Sequence, residues 1–167
     1  AALDLKENAK LELLYCNYTN ISELDLSKNT QLEKLSLSYT PIAELDLSNN
    51  KKLKSFDCIK ARFAWIDLSH NLQIFEGAVD SEITIETKAS SLNLEEQFPG
   101  IDVTKISNVE GATLEGAVLT GYDSKTPVTY TYDCGLPSPT LSEMEVTLHI
   151  IGDNEETPPD IDDPGSG

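Results

Sequence analysis

The chain of 167 residues has no basic region. Lys and Arg number 12 against 29 Asp and Glu, for a net charge of −17. The excess is spread along the chain: −5 over residues 1–86, −6 over 87–152 and −6 over 153–167. Neutralising phosphates takes clustered Lys and Arg, so nucleic acid and anionic membrane surfaces are poor partners. No apolar run reaches the roughly 20 residues that carry a helix across a bilayer, so direct membrane insertion is not expected. The Gly-rich phosphate loop, the dinucleotide fingerprint, the His-Glu-x-x-His metal helix and the Gly-x-Ser-x-Gly nucleophile turn are all missing. His70 and His149 stand outside any such motif. Without these constellations neither an enzyme nor a cofactor is expected.

Cysteine is scarce. The three present, Cys16, Cys58 and Cys134, form no Cys-x-x-Cys pair, which excludes the usual zinc and dithiol redox motifs. Asp160, Asp162 and Asp163 lie together near the end, but the glycine and terminal Glu of a calcium loop are absent. No metal site is expected. A leader is missing too, although the first residues, Ala1-Ala2-Leu3, already fall inside a repeat. The expectation is a truncated or processed start, and Gly165-Ser166-Gly167 reads as a cut end.

What the chain has is a period. Leu3-Asp4-Leu5 recurs as Leu24-Asp25-Leu26, Leu45-Asp46-Leu47 and Ile66-Asp67-Leu68, every 21 residues. The first two units agree at eight places: Leu3, Leu5, Asn8, Leu11, Leu14, Cys16, Thr19 and Ile21 match Leu24, Leu26, Asn29, Leu32, Leu35, Leu37, Thr40 and Ile42. The third keeps the chemistry, and the fourth drifts after Ile74. A fixed period of this length is the signature of a solenoid. Leu14-x-Cys16, Leu35-x-Leu37 and Phe56-x-Cys58 alternate as short strands do. Stacked units would lay these strands side by side as a parallel sheet. The Leu-Asp-Leu segments would form the opposite wall, made of short turns or 3-10 segments. Asn8, Asn29, Asn50 and Asn71 would form a turn ladder, with a column of ligand-binding Asn as the alternative. Cys16 and Cys58 share one inward position two units apart, ~9.6 Å, too far for a disulfide. All three thiols are expected free.

The pattern L-x-x-L-x-[LC]-x-x-T-x-[IF]-x-x-L-D-L-S-x-N resembles the leucine-rich repeat, in the short form with Cys seen in bacterial surface proteins similar to internalins. The resemblance covers roughly residues 1–86 and implies a leucine-rich-repeat solenoid of about four units.

Beyond Lys88 the period is lost. Thr113 to Thr120, Val128 to Cys134 and Met144 to Ile150 alternate, with turn signals at Phe98-Pro99-Gly100 and Gly135 to Pro139. Leu92 to Phe98 fits one short helix. Residues 87–152 read as a small antiparallel, sandwich-like β domain. Val128-Thr129-Tyr130-Thr131-Tyr132-Asp133-Cys134-Gly135 and the stretch Phe98 to Asn108 look like the Ig-like module that follows such repeats. The resemblance implies a cap on the solenoid. Residues 153–167 hold six acids, three prolines and no aromatic residue, the composition of a disordered linker or tail.

Solenoids act through a broad surface, so the candidate site is the strand face. Its outward residues are Tyr15, Asn17, Tyr18, Ser36, Ser38, Tyr39, Asp57, Ile59 and Lys60, together with Leu13, Lys34 and Ser55. Tyr15, Tyr18 and Tyr39 fall on neighbouring strands, and Tyr is favoured in binding anchors. The bland alternative is ordinary exposed strand residues. Trp65 is expected to pack on the β domain, with ligand stacking as its alternative. The expected function is a monomeric, non-enzymatic extracellular binding module on a bacterial surface. Its ligand would be a protein or glycan of the host or a cell surface. The rival is a structural spacer with no ligand of its own.

Overall fold

The computed structural model describes residues 1–137 and 141–152. The turn expected at 135–139 lies partly outside the described residues and the acidic segment 153–167 wholly outside. The fold is β-rich. Six strands come from the repeats: β1 (Ala2–Leu3), β2 (Leu13–Tyr15), β3 (Glu23–Leu24), β4 (Lys34–Ser36), β5 (Ser55–Ala61) and β6 (Glu76–Glu86). Then follow β7 (Ser91–Asn93), helix α1 (Leu94–Gln97), a 3-10 turn at Val103–Lys105, and β8 (Ile106–Glu110). The rest are β9 (Thr113–Glu115), β10 (Val118–Thr120), β11 (Val128–Asp133) and β12 (Glu143–Ile151).

The period sets the register. Leu13 pairs with Lys34, Lys34 with Ser55 and Ser55 with Glu76, all in parallel, each step advancing one repeat. Between them Leu14, Leu35 and Phe56 point inward and are buried. β2 and β4 end one residue short of Cys16 and Leu37, where strand centres were expected, and only β5 includes its Cys58. Pairing nonetheless continues past the strand ends: Cys16 N–H donates to Ser36 O at 2.9 Å and Leu37 N–H to Asp57 O at 2.8 Å. On the opposite wall Leu26, Leu47 and Leu68 meet Leu32 and Leu53 in the core. Burying each such Leu contributes about 1.5–3 kcal/mol. That wall is mostly turns. Each Asp of the triplets accepts the backbone N–H two residues on, as Asp25 does from Ser27 at 3.0 Å and Asp46 from Ser48 at 2.9 Å. The side-chain hydroxyls of Ser27 and Ser48, and after them these backbone bonds, hold both carboxyls below the usual Asp range.

The Asn column is a ladder. Asn29 Nδ2 donates to Leu5 O and Asn8 O, Asn50 to Leu26 O and Asn29 O, and Asn71 to Leu47 O and Asn50 O, all at 2.9–3.1 Å. These three side chains are fully buried and bind backbone. That is the turn role, not a ligand column.

The strands after residue 86 do not keep to themselves. One seven-stranded sheet runs in the order β2-β4-β5-β6-β12-β11-β8. β12 pairs with β6 in parallel, from Glu145↔Asp80 to Ile151↔Glu86. β11 pairs antiparallel with β12 and β8, and β10 antiparallel with β7 and β9. Within residues 87–152 every pairing is antiparallel, as expected, and the seven-stranded sheet is mixed because β12 also joins β6 in parallel, across the boundary placed at residues 86–87. Alternation in a strand tells which side is buried, not which strand will pair with it. Thr113 to Thr120 is two strands rather than one, turned at Gly116. The helix is shorter than expected, capped by Asn93, whose side chain accepts from Glu95 N and Glu96 N.

The second half closes on the last repeat as well. Val128, Tyr130, Tyr132 and Cys134 all face inward, as the alternation predicted, and are buried. Tyr130 Oη donates to Ala64 O at 2.7 Å, and Leu68 N–H donates to Cys134 O at 2.8 Å. Trp65 Nε1–H donates to Pro99 O at 3.2 Å, which assigns it to packing on this half.

The three thiols are free. Burial pushes the Cys134 thiol up to about 12 and raises Cys58 further still, the nearby Asp80 and Asp57 adding to it. Cys58 Sγ lies 3.8 Å from Leu37 O, its neighbour one coil away.

Candidate binding face

The outward side of β2, β4 and β5, with the turns that follow β2 and β4, carries the nine candidate residues, and they divide into two groups. The first is structural. Asn17 Oδ1 accepts from Ser36 Oγ–H and from Ser38 N–H, both at 2.8 Å. Ser38 Oγ accepts from Ile59 N–H at 3.1 Å, and Asp57 Oδ1 from Ala78 N–H at 3.1 Å. Each bond ties one coil to the next. Ser36 and Ser38 are buried, against the expectation that outward means exposed. They are short, and their hydroxyls are tied to the neighbouring coils, Ser36 to Asn17 and Ser38 to Ile59 N–H. Ile59 is half-buried.

The second group projects. Tyr15 and Tyr18 are 61% and 65% exposed, and Leu13 beside them is 51% exposed. Tyr18 and Tyr39 stack with centroids 4.6 Å apart and planes within 9°. They occupy the same repeat position, and so does Lys60. All three have left-handed backbone, with φ of 57°, 58° and 55°. That region is uncommon for bulky residues. Tyr18 N–H and Tyr39 N–H hold it by donating to Ser38 O at 3.0 Å and Ile59 O at 2.8 Å. The turn is braced below by Thr19 and Thr40, whose hydroxyls donate three residues back to Cys16 O and Leu37 O.

Lysines on this face are neutralised within the molecule. Lys34 pairs with Glu76 at 3.9 Å, Lys54 with Glu33 at 2.9 Å, and Lys60 with Glu82, which also meets His149 at 2.7 Å. Lys60 is thus engaged by Glu82 on β6. Two exposed apolar residues escaped the sequence reading, Leu72 and Phe75, at 68% and 64%. Phe75 occupies the place held by Glu12, Glu33 and Lys54 in earlier units, and the fourth unit departs from the pattern there. The outward pattern at that place was the available signal.

The chain matches no family model and no curated protein. Among solved structures it resembles the functional domain of InlJ from Listeria monocytogenes, which includes a cysteine ladder. The two are 28% identical with a TM-score of 0.52, over 89% of this chain. The match covers 36% of that chain, so this chain spans about a third of its length. The fold is therefore similar to that of an internalin.

Proposed function

We propose that this chain is an extracellular, non-enzymatic adhesion module of a bacterial surface protein. In this reading residues 1–86 are a leucine-rich-repeat solenoid, 87–152 an Ig-like cap and 153–167 a linker or tail. The ligand, a protein or glycan, docks on the strand face, and the module works as a monomer. The observation that carries the reading is exposed Tyr18, stacked on half-buried Tyr39, beside exposed Leu13 and Tyr15. A purely structural spacer has no need of an aromatic patch held outward on strained backbone. The InlJ likeness supports the surface setting.

The test is a binding screen of the chain against host matrix proteins and glycans, followed by Tyr15→Ala and Tyr39→Ala. Losing an anchoring Tyr typically costs on the order of 2 kcal/mol, about thirty-fold in affinity. Melting temperature should barely move, because outward side chains contribute little to the core. A chain that binds nothing in such a screen would favour the spacer.

A further inference from the structure

The strand face has a feature that narrows its partner. In register across β2, β4 and β5 lie Tyr15, Ser36 and Asp57. Adjacent strands are ~4.8 Å apart, so the Tyr15 ring and the Asp57 carboxylate flank the short Ser36 at ~10 Å backbone separation. Ser36 is buried, its hydroxyl turned to Asn17 Oδ1, so the row is large, low, then acidic. Asp57 uses one oxygen on Ala78 N–H. The nearby cations are engaged elsewhere: Lys34, Lys54 and Lys60 are each already held by a glutamate. Electrostatically the row wants positive charge. Sterically it offers an aromatic wall and a shallow floor.

Resting on the strand-face reading above, we propose that the Tyr15–Ser36–Asp57 row takes an arginine side chain from a basic protein partner. The guanidinium is planar and weakly hydrated. It stacks on an aromatic ring while its N–H fork bonds a carboxylate, which a lysine ammonium cannot do in the same pose. The Tyr18–Tyr39 stack borders the row and supplies further flat, apolar surface for the backbone around that arginine. The net charge of −17 steers such a partner inward.

The probes are a short peptide of alternating Gly and Arg, its Gly-Lys counterpart, and an uncharged oligosaccharide, cellohexaose. Each is titrated into the full chain at physiological salt. The acids of 153–167 attract both cationic peptides alike, so the difference between them isolates the row. The Gly-Arg peptide should bind more tightly than Gly-Lys. Tyr15→Ala and Asp57→Asn should each weaken it about five-fold, with the Gly-Lys affinity unchanged. Tyr15→Phe should keep most of the affinity. Asp57→Asn keeps an acceptor for Ala78 N–H, and an unchanged melting temperature verifies that the fold survives. Equal binding of the two peptides, or indifference to both variants, overturns the arginine site. Tyr15-dependent binding of cellohexaose without an arginine preference overturns it too, yet leaves the strand face as the docking surface. If no probe depends on Tyr15, the arginine site fails and the wider ligand screen decides the strand-face reading.

Discussion

Tyr130 and Ala64, 66 residues apart, are joined by a buried hydrogen bond of 2.7 Å from phenol to carbonyl. Both are almost completely inaccessible to solvent. The bond fixes the second half against the last repeat at a point where no strand ladder does so.

Tyr130→Phe removes that donor and nothing else of size. The Ala64 carbonyl is then buried without its partner, which costs about 1–3 kcal/mol. Urea unfolding should show the midpoint falling while the slope is kept. A midpoint equal to wild type would mean that water reaches Ala64 O, and that the joint is looser than this geometry.

Asn50→Ala tests the ladder. Asn50 donates to Leu26 O and Asn29 O from a fully buried position. Stranding two buried carbonyls should cost about 2 kcal/mol or more. Asn8→Ala, in the exposed first turn, should cost well under about 1 kcal/mol, as most surface changes do. Equal costs at the two places would show that the Asn column acts through turn conformation alone.

Among the glycines described, Gly77 leaves the least room for a side chain. Its φ is +138°, and a Cβ there would sit 1.9 Å from Phe56 O, a backbone atom of the paired strand. Gly77→Ala should break the β5–β6 pairing and destabilise by more than about 3 kcal/mol, combining strain with overpacking. Soluble, wild-type-like protein from this variant would contradict the close approach of β6 to β5.

Much of this was legible in the residues. Leu14, Leu35 and Phe56, the Asn column and the absent disulfide follow from one period, because residues 21 apart fall in register on neighbouring strands. The inward Val128, Tyr130, Tyr132 and Cys134 were legible from alternation. The parallel pairing of β12 with β6 was not, since Val146 and Leu148 are buried whichever strand lies beside them. Nor was the burial of Ser36 and Ser38, which depends on Asn17 reaching across from the previous coil. The stack of Tyr18 on Tyr39 was half legible: shared repeat position places them in one column, but ring orientation is set by the left-handed turn. The Asp of each triplet has a plain local role, capping the N–H of the residue two places on, that a search for binding residues passed over.

Cysteine reactivity should separate the three thiols. Cys16 is only partly buried, whereas Cys58 and Cys134 are sealed. Burial raises all three, which suppresses the reactive thiolate at neutral pH. A thiol reagent should therefore label native protein slowly, at Cys16 first, and label all three rapidly after denaturation without reductant. Fast native labelling of Cys58 would require the coils to open. A Cys16–Cys58 disulfide would require them to stack differently.

Acid stability should depend on Glu82. The Lys60 ammonium bonds its carboxyl and His149 Nε2 adds a second contact at 2.7 Å, holding it below its ordinary value of 4.5 against partial burial. A carboxyl depressed in the folded state stabilises above its unfolded value, and that stability is lost as pH falls through the folded one. The window therefore lies below pH 4.5, not near neutrality. Glu82→Gln should lower the urea midpoint at pH 7 only modestly, since the pair is largely solvated. Its midpoint should then fall less steeply than wild type on acidification, and the curves should converge at the lowest pH. Other carboxyls, among them Asp25 and Asp46, are depressed by their own side-chain and backbone bonds from Ser27 and Ser48 and titrate in both proteins. The difference between the curves therefore isolates Glu82. Parallel curves throughout that window would mean that the link among Lys60, Glu82 and His149, which ties β5 to β6 and β12, contributes nothing to stability.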